Sequence, residues 1–167
     1  LMSEVMIDDL EDDVFNTMKL LEYIQEPVIA DLGSGSGLPV IPYKIMYPQS
    51  LLIMIERSQK KATFLRHVID TLHLENIELI GEDPLATELP RRFDAIMSRA
   101  FSPMETLEKV VIAATRPGSR LYYLSTGRTT PIHCQGFSLT DHHEQRFRRY
   151  TMNLNIYEIT SRQQGSS

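Results

Sequence analysis

The sequence has no tryptophan and very little cysteine, Cys134 being the only one among 167 residues. A single cysteine forms no disulfide within the chain, and with five scattered histidines it gives no metal-binding motif, so no metal site is predicted. Long apolar runs are also missing. The strongly apolar stretch Leu51 to Ile55 is far shorter than the roughly 20 residues that a membrane-spanning helix needs. We therefore expect a reducing compartment, the cytoplasm, and no membrane association.

The N-terminus lacks the basic region followed by an apolar one that defines a secretory signal peptide. It begins with Leu1 ahead of Met2, which indicates a trimmed or incomplete chain. With 42% hydrophobic and 23% charged residues, the composition is that of an ordinary globular protein, and the length fits one domain. We predict a single domain over residues 1–167, divided into an acidic helical segment (1–26), a core (27–125) and a C-terminal β-hairpin (136–160).

Charge is distributed unevenly along the chain. The first 31 residues hold nine acidic residues against one lysine, whereas the remainder holds 16 basic residues against 13 acidic ones. The basic residues cluster at Lys60-Lys61, at Arg91-Arg92 and at Arg146, Arg148 and Arg149. The net charge of −5 therefore does not exclude a basic face that meets nucleic acid, although solvated surface charge explains each cluster equally well.

Apolar strands alternate with amphipathic helices along most of the chain. Buried strands are predicted at 28–32, 51–55, 77–80, 93–97 and 121–124, and helices at 14–24, from 38, from 58 and at 104–114. Pro117-Gly118 predicts a turn. Residues 137–147 and 150–160 alternate in polarity, which predicts two antiparallel strands. The pattern indicates an α/β, Rossmann-like fold with a mostly parallel sheet, helices on both faces and an antiparallel C-terminal hairpin.

A glycine-rich turn follows the first strand, where an open parallel sheet binds its ligands. Gly33, Gly35 and Gly37 allow positive φ angles and let a ligand approach the backbone closely. Their spacing matches neither the dinucleotide fingerprint nor the phosphate-binding P-loop. The turn suits an adenosyl nucleoside without a pyrophosphate, and the alternative is a plain β-to-α connection. The other candidate contacts in this turn are Asp31, Ser34 and Leu38.

Acidic residues follow the next two strands. Glu56 ends the second strand about 20 residues beyond the turn, where its carboxylate can accept two hydrogen bonds from ribose hydroxyls. The alternative is a surface acid paired with the neighbouring Arg57 or with Lys60. After the third strand, Asp83 offers a carboxylate or a backbone amide to an adenine amino group. Arg57, next to Glu56, is also a candidate cofactor contact. Together with the glycine turn, these positions predict a site for S-adenosylmethionine (SAM), the cofactor of methyltransferases.

Four segments carry more specific motifs: Asp31–Pro42 with Gly-Leu-Pro-Val-Ile-Pro, Lys60–Arg66, Leu74–Glu78, and Phe93–Phe101 with Ser-Arg-Ala-Phe. They resemble the bacterial GidB/RsmG family, the guanine-N7 methyltransferases of 16S ribosomal RNA. The resemblance implies a class I SAM-dependent methyltransferase fold and 16S ribosomal RNA or the small ribosomal subunit as partner. It also implies cofactor contacts at Gly33 and Leu38, at the backbone of Pro84 and Leu85, and at Arg99.

Guanine N7 carries an in-plane lone pair, so its methylation needs positioning rather than a general base. Arg99 is the candidate catalytic residue because a guanidinium can orient guanine O6 or a phosphate. The alternative is a surface ion pair with Asp94. Candidate RNA contacts are Lys60, Lys61 and Arg128.

The chain also departs from the family pattern. Asp12-Asp13 stand where the family has a basic pair, and 124–127 lacks the family's lysine, for which Arg128 is a substitute. Two alternatives therefore stay open: a SAM-dependent enzyme that acts on a small molecule or protein, and a SAM-binding module without turnover.

Overall fold

The structure is a computed structural model that describes residues 14–87, 89, 93–99, 104–127 and 136–160. Helix α1 covers residues 14–21. It is followed by β1 (Val28–Leu32), α2 (Val40–Met46), β2 (Leu51–Ile55), α3 (Gln59–Thr71), β3 (Ile77–Ile80), β4 (Phe93–Arg99), α4 (Met104–Ala114), β5 (Thr115–Thr126), β6 (Phe137–Arg146) and β7 (Thr151–Ile159). Within these ranges, no helix is long and apolar enough to cross a membrane.

The seven strands form one sheet in the order β3-β2-β1-β4-β5-β7-β6. Strands β1 to β5 pair with one another in parallel, and β7 runs antiparallel to both β5 and β6. The predicted mostly parallel sheet and its antiparallel C-terminal hairpin are confirmed. Because β7 runs against β5, its first residues lie beside the last residues of β5, with Met152 opposite Thr126.

Apolar side chains cover both faces of the sheet. One face packs against α1, α2 and α3, which contribute the fully buried Leu21, Val40 and Leu65. The other face packs against α4, which buries Leu107, Val110, Val111 and Ala114. That spacing of three, four and seven residues places all four side chains on one side of the helix. The core therefore lies in two layers, one on each side of the sheet.

Two local features differ from the sequence-based expectation. Helix α1 ends at residue 21 rather than 24, and Ile24 reaches the core from the turn that follows. Pro117-Gly118 lies inside β5 instead of preceding it. There the pairing with β4 jumps from Thr115 opposite Phe93 to Arg120 opposite Ala95, and Gly118 has a φ of +87°. The residues predicted to form a turn form a bulge instead, and after the bulge the chain continues as β5 beside β4.

Strand β6 forms one outer edge of the sheet. Its pairing with β7 shifts between Leu139 and Asp141, which marks a second irregularity in the sheet. Residues 138–142 are exposed along this edge. The edge therefore carries mostly polar side chains on a strand that is not straight.

Candidate functional site

The glycine turn lies at the carboxyl edge of the sheet, directly after β1. Gly33, Gly35 and Gly37 have φ angles of +78°, +57° and +83°, in the left-handed region that favours glycine. A Cβ on Gly37 would lie 2.7 Å from the Ile41 side chain, whereas a Cβ on Gly35 would meet nothing closer than a carbonyl oxygen at 3.6 Å. Gly37 is therefore required by packing, and Gly35 leaves open space beside the backbone.

Glu56 ties the glycine turn to the start of α3. Its side chain is buried, with 5% of the residue exposed. Oε2 accepts a hydrogen bond from the Gly35 amide and Oε1 one from the Ser58 amide, each at 2.8 Å. The expected surface ion pair with Arg57 or Lys60 is wrong, since the described part of the chain shows no such contact. A carboxylate has about four acceptor positions, so two remain beyond these amide contacts.

Asp31 lies beneath the same turn and is also buried. The pKa of Asp31 is raised to about 7, mainly by burial and to a smaller extent by the nearby charge of Glu56, while a hydrogen bond with Ser34 lowers it. The Ser34 hydroxyl also donates to the Asp31 backbone carbonyl at 3.2 Å. Asp31 therefore keeps its proton to a higher pH than an ordinary aspartate, which limits the negative charge packed under the turn.

An open cleft of about 780 Å³ lies where β2 and β3 end, and it is lined by Arg57, Ser58, Gln59, Gly81, Glu82, Asp83, Ala86 and Thr87. Gln59 donates a side-chain hydrogen bond to the Gly81 carbonyl. The Asp83 carboxylate accepts one from the Leu85 amide at 2.9 Å. These contacts hold segment 81–87 against the beginning of α3.

The cleft contains two of the predicted cofactor residues, Arg57 and Asp83. Pro84 is partly buried in the next turn, and Leu85 is largely exposed there. Sequence reasoning missed Gln59 and Thr87, because a polar residue in a helix's first turn and one in a loop carry no distinctive spacing. Ser58 occupies the N-cap position of α3, at the residue from which the helix was predicted. Its side chain makes no capping hydrogen bond, and its amide contacts Glu56 instead.

Arg99 is the last residue of β4 and lies at the same carboxyl edge, opposite Leu124 of β5. The expected alternative, an ion pair with Asp94, is wrong. Asp94 lies near the other end of the strand and pairs with Arg116 at 2.6 Å. Arg99 is therefore positioned at the edge that holds the glycine turn.

Basic side chains also occur at the start of α3. Lys60 and Lys61 are exposed in its first turn, and neither has a side-chain hydrogen bond or ion pair with the described residues. Arg128 and Asp12-Asp13 lie outside the described residues. Among those that are described, no cluster of three or more histidine, cysteine or acidic side chains is arranged to hold a metal ion.

The family model for rRNA small subunit methyltransferase G matches residues 1–145. The ribosomal RNA small subunit methyltransferase G of Polynucleobacter asymbioticus is 37% identical to this chain over 121 residues, which cover 71% of the chain and 54% of that protein. The chain thus spans about half the length of this relative.

Solved structures show the same fold at low sequence identity. TrmN from Thermus thermophilus matches with a TM-score of 0.68 at 17% identity, covering 85% of this chain and 47% of that one. M. jannaschii TYW2 in complex with AdoMet matches with a TM-score of 0.69 at 14% identity, covering 90% and 77%. The class I SAM-dependent methyltransferase fold expected from the sequence is confirmed.

Proposed function

Because this chain belongs to the rRNA small subunit methyltransferase G family, GidB, we propose that it transfers a methyl group from SAM to N7 of a guanine in 16S ribosomal RNA. The observation that carries the proposal is the Glu56 contact, which ties the glycine turn of the family motif to the start of α3, where the cleft begins. A ribosomal substrate also implies that the reaction takes place in the cytoplasm.

The described residues fit SAM as the cofactor. Gly35 leaves space beside the backbone, and Glu56 keeps acceptor positions for two ribose hydroxyls. Asp83 and the backbone of Pro84 and Leu85 supply polar groups beside the cleft for an adenine. The remaining contacts that we assign to the cofactor come from the turn and the residues next to it: Asp31, Gly33, Ser34, Gly37, Leu38, Arg57 and Arg99.

When bound, SAM supplies a methyl group that is attached to a positively charged sulfur. The N7 lone pair of guanine can accept this methyl group without the help of a general base. The chain's own residues therefore have to hold the guanine in line and exclude competing orientations. Arg99 performs this task in our proposal, because its planar guanidinium can donate hydrogen bonds to guanine O6, which leaves the N7 lone pair free, or to the oxygens of a phosphate. No proton has to leave the base in this step.

Exposed lysines support a polyanionic substrate. Lys60 and Lys61 lie in the turn of α3 that begins at the cleft, and Arg57 lines the cleft itself. Together with Arg128, these side chains are our candidates for phosphate contacts. The acidic pair Asp12-Asp13 and the lysine missing from 124–127 favour the second candidate, a SAM-dependent methyltransferase for a small molecule or protein.

A methylation assay tests the proposal. The purified chain is incubated with SAM and small ribosomal subunits, and methylated guanines are mapped by mass spectrometry. We expect one N7-methylguanine, which the Arg99→Gln variant forms much more slowly. Arg116→Gln, which changes an arginine at the opposite edge of the sheet, is the matched control and should retain activity.

SAM titration calorimetry separates the alternatives. SAM binding without methylation of the RNA would contradict the proposed substrate and favour a small molecule or protein. No binding at millimolar SAM would favour the remaining alternative, a protein that has this fold but catalyses no methyl transfer.

A further inference from the structure

Phe64 lies on the outer side of α3, where an amphipathic helix normally carries polar side chains. The inner side of the helix is marked by the buried Ala62 and Leu65. With 3.6 residues per turn, Phe64 lies about 130° around the helix from the midpoint between these two residues. Half of it is exposed, at 50%. The core of the protein therefore does not account for a phenylalanine at this position.

Basic side chains surround Phe64 on the surface of α3. Lys60 and Lys61 precede it by four and three residues, and His67 follows it by three, so all three are its neighbours on the helix. All three are exposed. The helix contains no acidic residue before Asp70. The first turns of α3 therefore combine an exposed aromatic ring with two lysine side chains.

The acidic side chains that follow β2 and line the cleft already have partners of their own. Glu56 accepts hydrogen bonds from two backbone amides. Glu82 and Asp83 each accept a hydrogen bond from within segment 85–87. Lys60-Lys61 form no ion pair with the residues that the structure describes. The charge of these lysines is therefore available to a polyanion.

We propose that Phe64 is a stacking platform for an unpaired base of the RNA substrate, while Lys60 and Lys61 contact neighbouring phosphates. The inference rests on the proposed function and adds a base contact to it. Every base has a flat aromatic face, so stacking on phenylalanine requires no particular sequence. Single-stranded loops of RNA offer the unstacked bases that proteins bind in this way. Lys60 and Phe64 lie on adjacent turns of α3, so one nucleotide can contact both.

Fluorescence tests the stacking directly, because the chain has no tryptophan of its own. Phe64→Trp keeps an aromatic ring at the proposed platform. Leu72→Trp is the matched control, since Leu72 is 48% exposed at the other end of α3. When in vitro transcribed 16S ribosomal RNA is added, we expect the fluorescence of Phe64→Trp to be quenched and that of Leu72→Trp to stay unchanged. An RNA duplex without unpaired bases should quench neither.

Filter binding of the same RNA over a series of salt concentrations separates stacking from charge. Phe64→Ala and Phe64→Leu both remove the ring, so each should weaken RNA affinity about tenfold without changing the log–log salt slope. Lys60→Gln should instead lower that slope by about 0.7, the value for one phosphate contact of a single strand. Leu72→Ala is the control and should match the wild type. Unchanged SAM affinity in Phe64→Ala would show that its fold is intact.

Equal RNA affinities of Phe64→Ala and the control, or an unquenched Phe64→Trp, would overturn this inference, while methylation of the RNA by the wild type would leave the proposed function standing. Wild-type affinity in Phe64→Leu would also overturn it, because an apolar contact without stacking would then suffice. If Phe64→Ala weakened binding to small ribosomal subunits but not to the free RNA, the side chain would contact a ribosomal protein instead. A wild type that binds SAM but neither binds nor methylates the RNA would overturn both proposals.

Discussion

Replacing Glu56 by glutamine separates the two roles assigned to that side chain. Glutamine has the same size, and its carbonyl oxygen can accept one of the two amide hydrogen bonds. Its NH2 group cannot accept the other, so one amide of the pair Gly35 and Ser58 faces a donor. A hydrogen bond to a charged group contributes about 1.5–3 kcal/mol. We expect Glu56→Gln to lower the free energy of unfolding by about 2 kcal/mol in the absence of SAM.

The same substitution should weaken SAM binding if the remaining acceptor positions hold the ribose. Loss of the charged acceptor is expected to cost about 1–3 kcal/mol, which corresponds to a rise in Kd of roughly five- to 150-fold. Urea unfolding without ligand measures the first effect, and titration calorimetry with SAM measures the second. Glu75→Gln, in the exposed loop after α3, is the matched control and should leave both quantities unchanged.

Urea unfolding and SAM titration calorimetry each test one of the two roles of Glu56, so either role can be refuted without the other. An unfolding midpoint equal to that of the wild type would refute the role of Glu56 in holding the glycine turn. A destabilised variant with unchanged SAM affinity would refute the ribose assignment and leave Glu56 with the turn alone.

Three further predictions concern stability. The free energy of unfolding should fall as pH rises from about 4 to about 7, because burial raises the pKa of Asp31 from 3.8 to about 7 and the folded state keeps a proton that the unfolded chain has released. Asp31→Asn should remove this slope in urea titrations at several pH values, and a persistent slope would show that another group causes it. Gly35→Ala and Gly37→Ala should each cost about 1–2 kcal/mol for a left-handed backbone. Gly37→Ala should cost about 1–3 kcal/mol more for its 2.7 Å contact, and equal thermal midpoints of the two variants would contradict the packing argument. Tyr122→Phe removes a hydroxyl that donates to the Glu26 carboxylate at 2.9 Å and should lower stability by about 1–3 kcal/mol in equilibrium denaturation, whereas an unchanged urea midpoint would show that the contact adds nothing.

Much of the sheet could be predicted from local pattern. β1, β2, β3 and α4 lie at the predicted residues, because buried strands and a one-sided helix leave clear apolar runs between breakers. β4 continues two residues beyond its predicted end and thereby includes Arg99. The bulge at Pro117-Gly118 could not be predicted, since turn residues do not reveal whether a strand resumes with the same neighbour.

The site was predictable in outline and not in its contacts. Parallel order alone places the glycine turn and Glu56 at one edge. Which backbone amides bind Glu56 depends on the φ angles of the turn. The glycines permit these φ angles, but the residue types alone do not specify them. The position of the C-terminal hairpin at the end of the sheet depends on β7 pairing with β5, a long-range contact that alternation within the hairpin does not specify.

The irregular outer strand β6 has a consequence for the behaviour of the protein in concentrated solution. An edge strand offers unpaired backbone groups to any other extended chain, and long, flat, apolar edges are sites of aggregation. The register shift between Leu139 and Asp141 interrupts the straight row of donors and acceptors. A second molecule that added a strand here would also have to desolvate the exposed charges of Asp141, Glu144 and Arg146. The sheet is therefore protected against growth from one molecule into the next along this side.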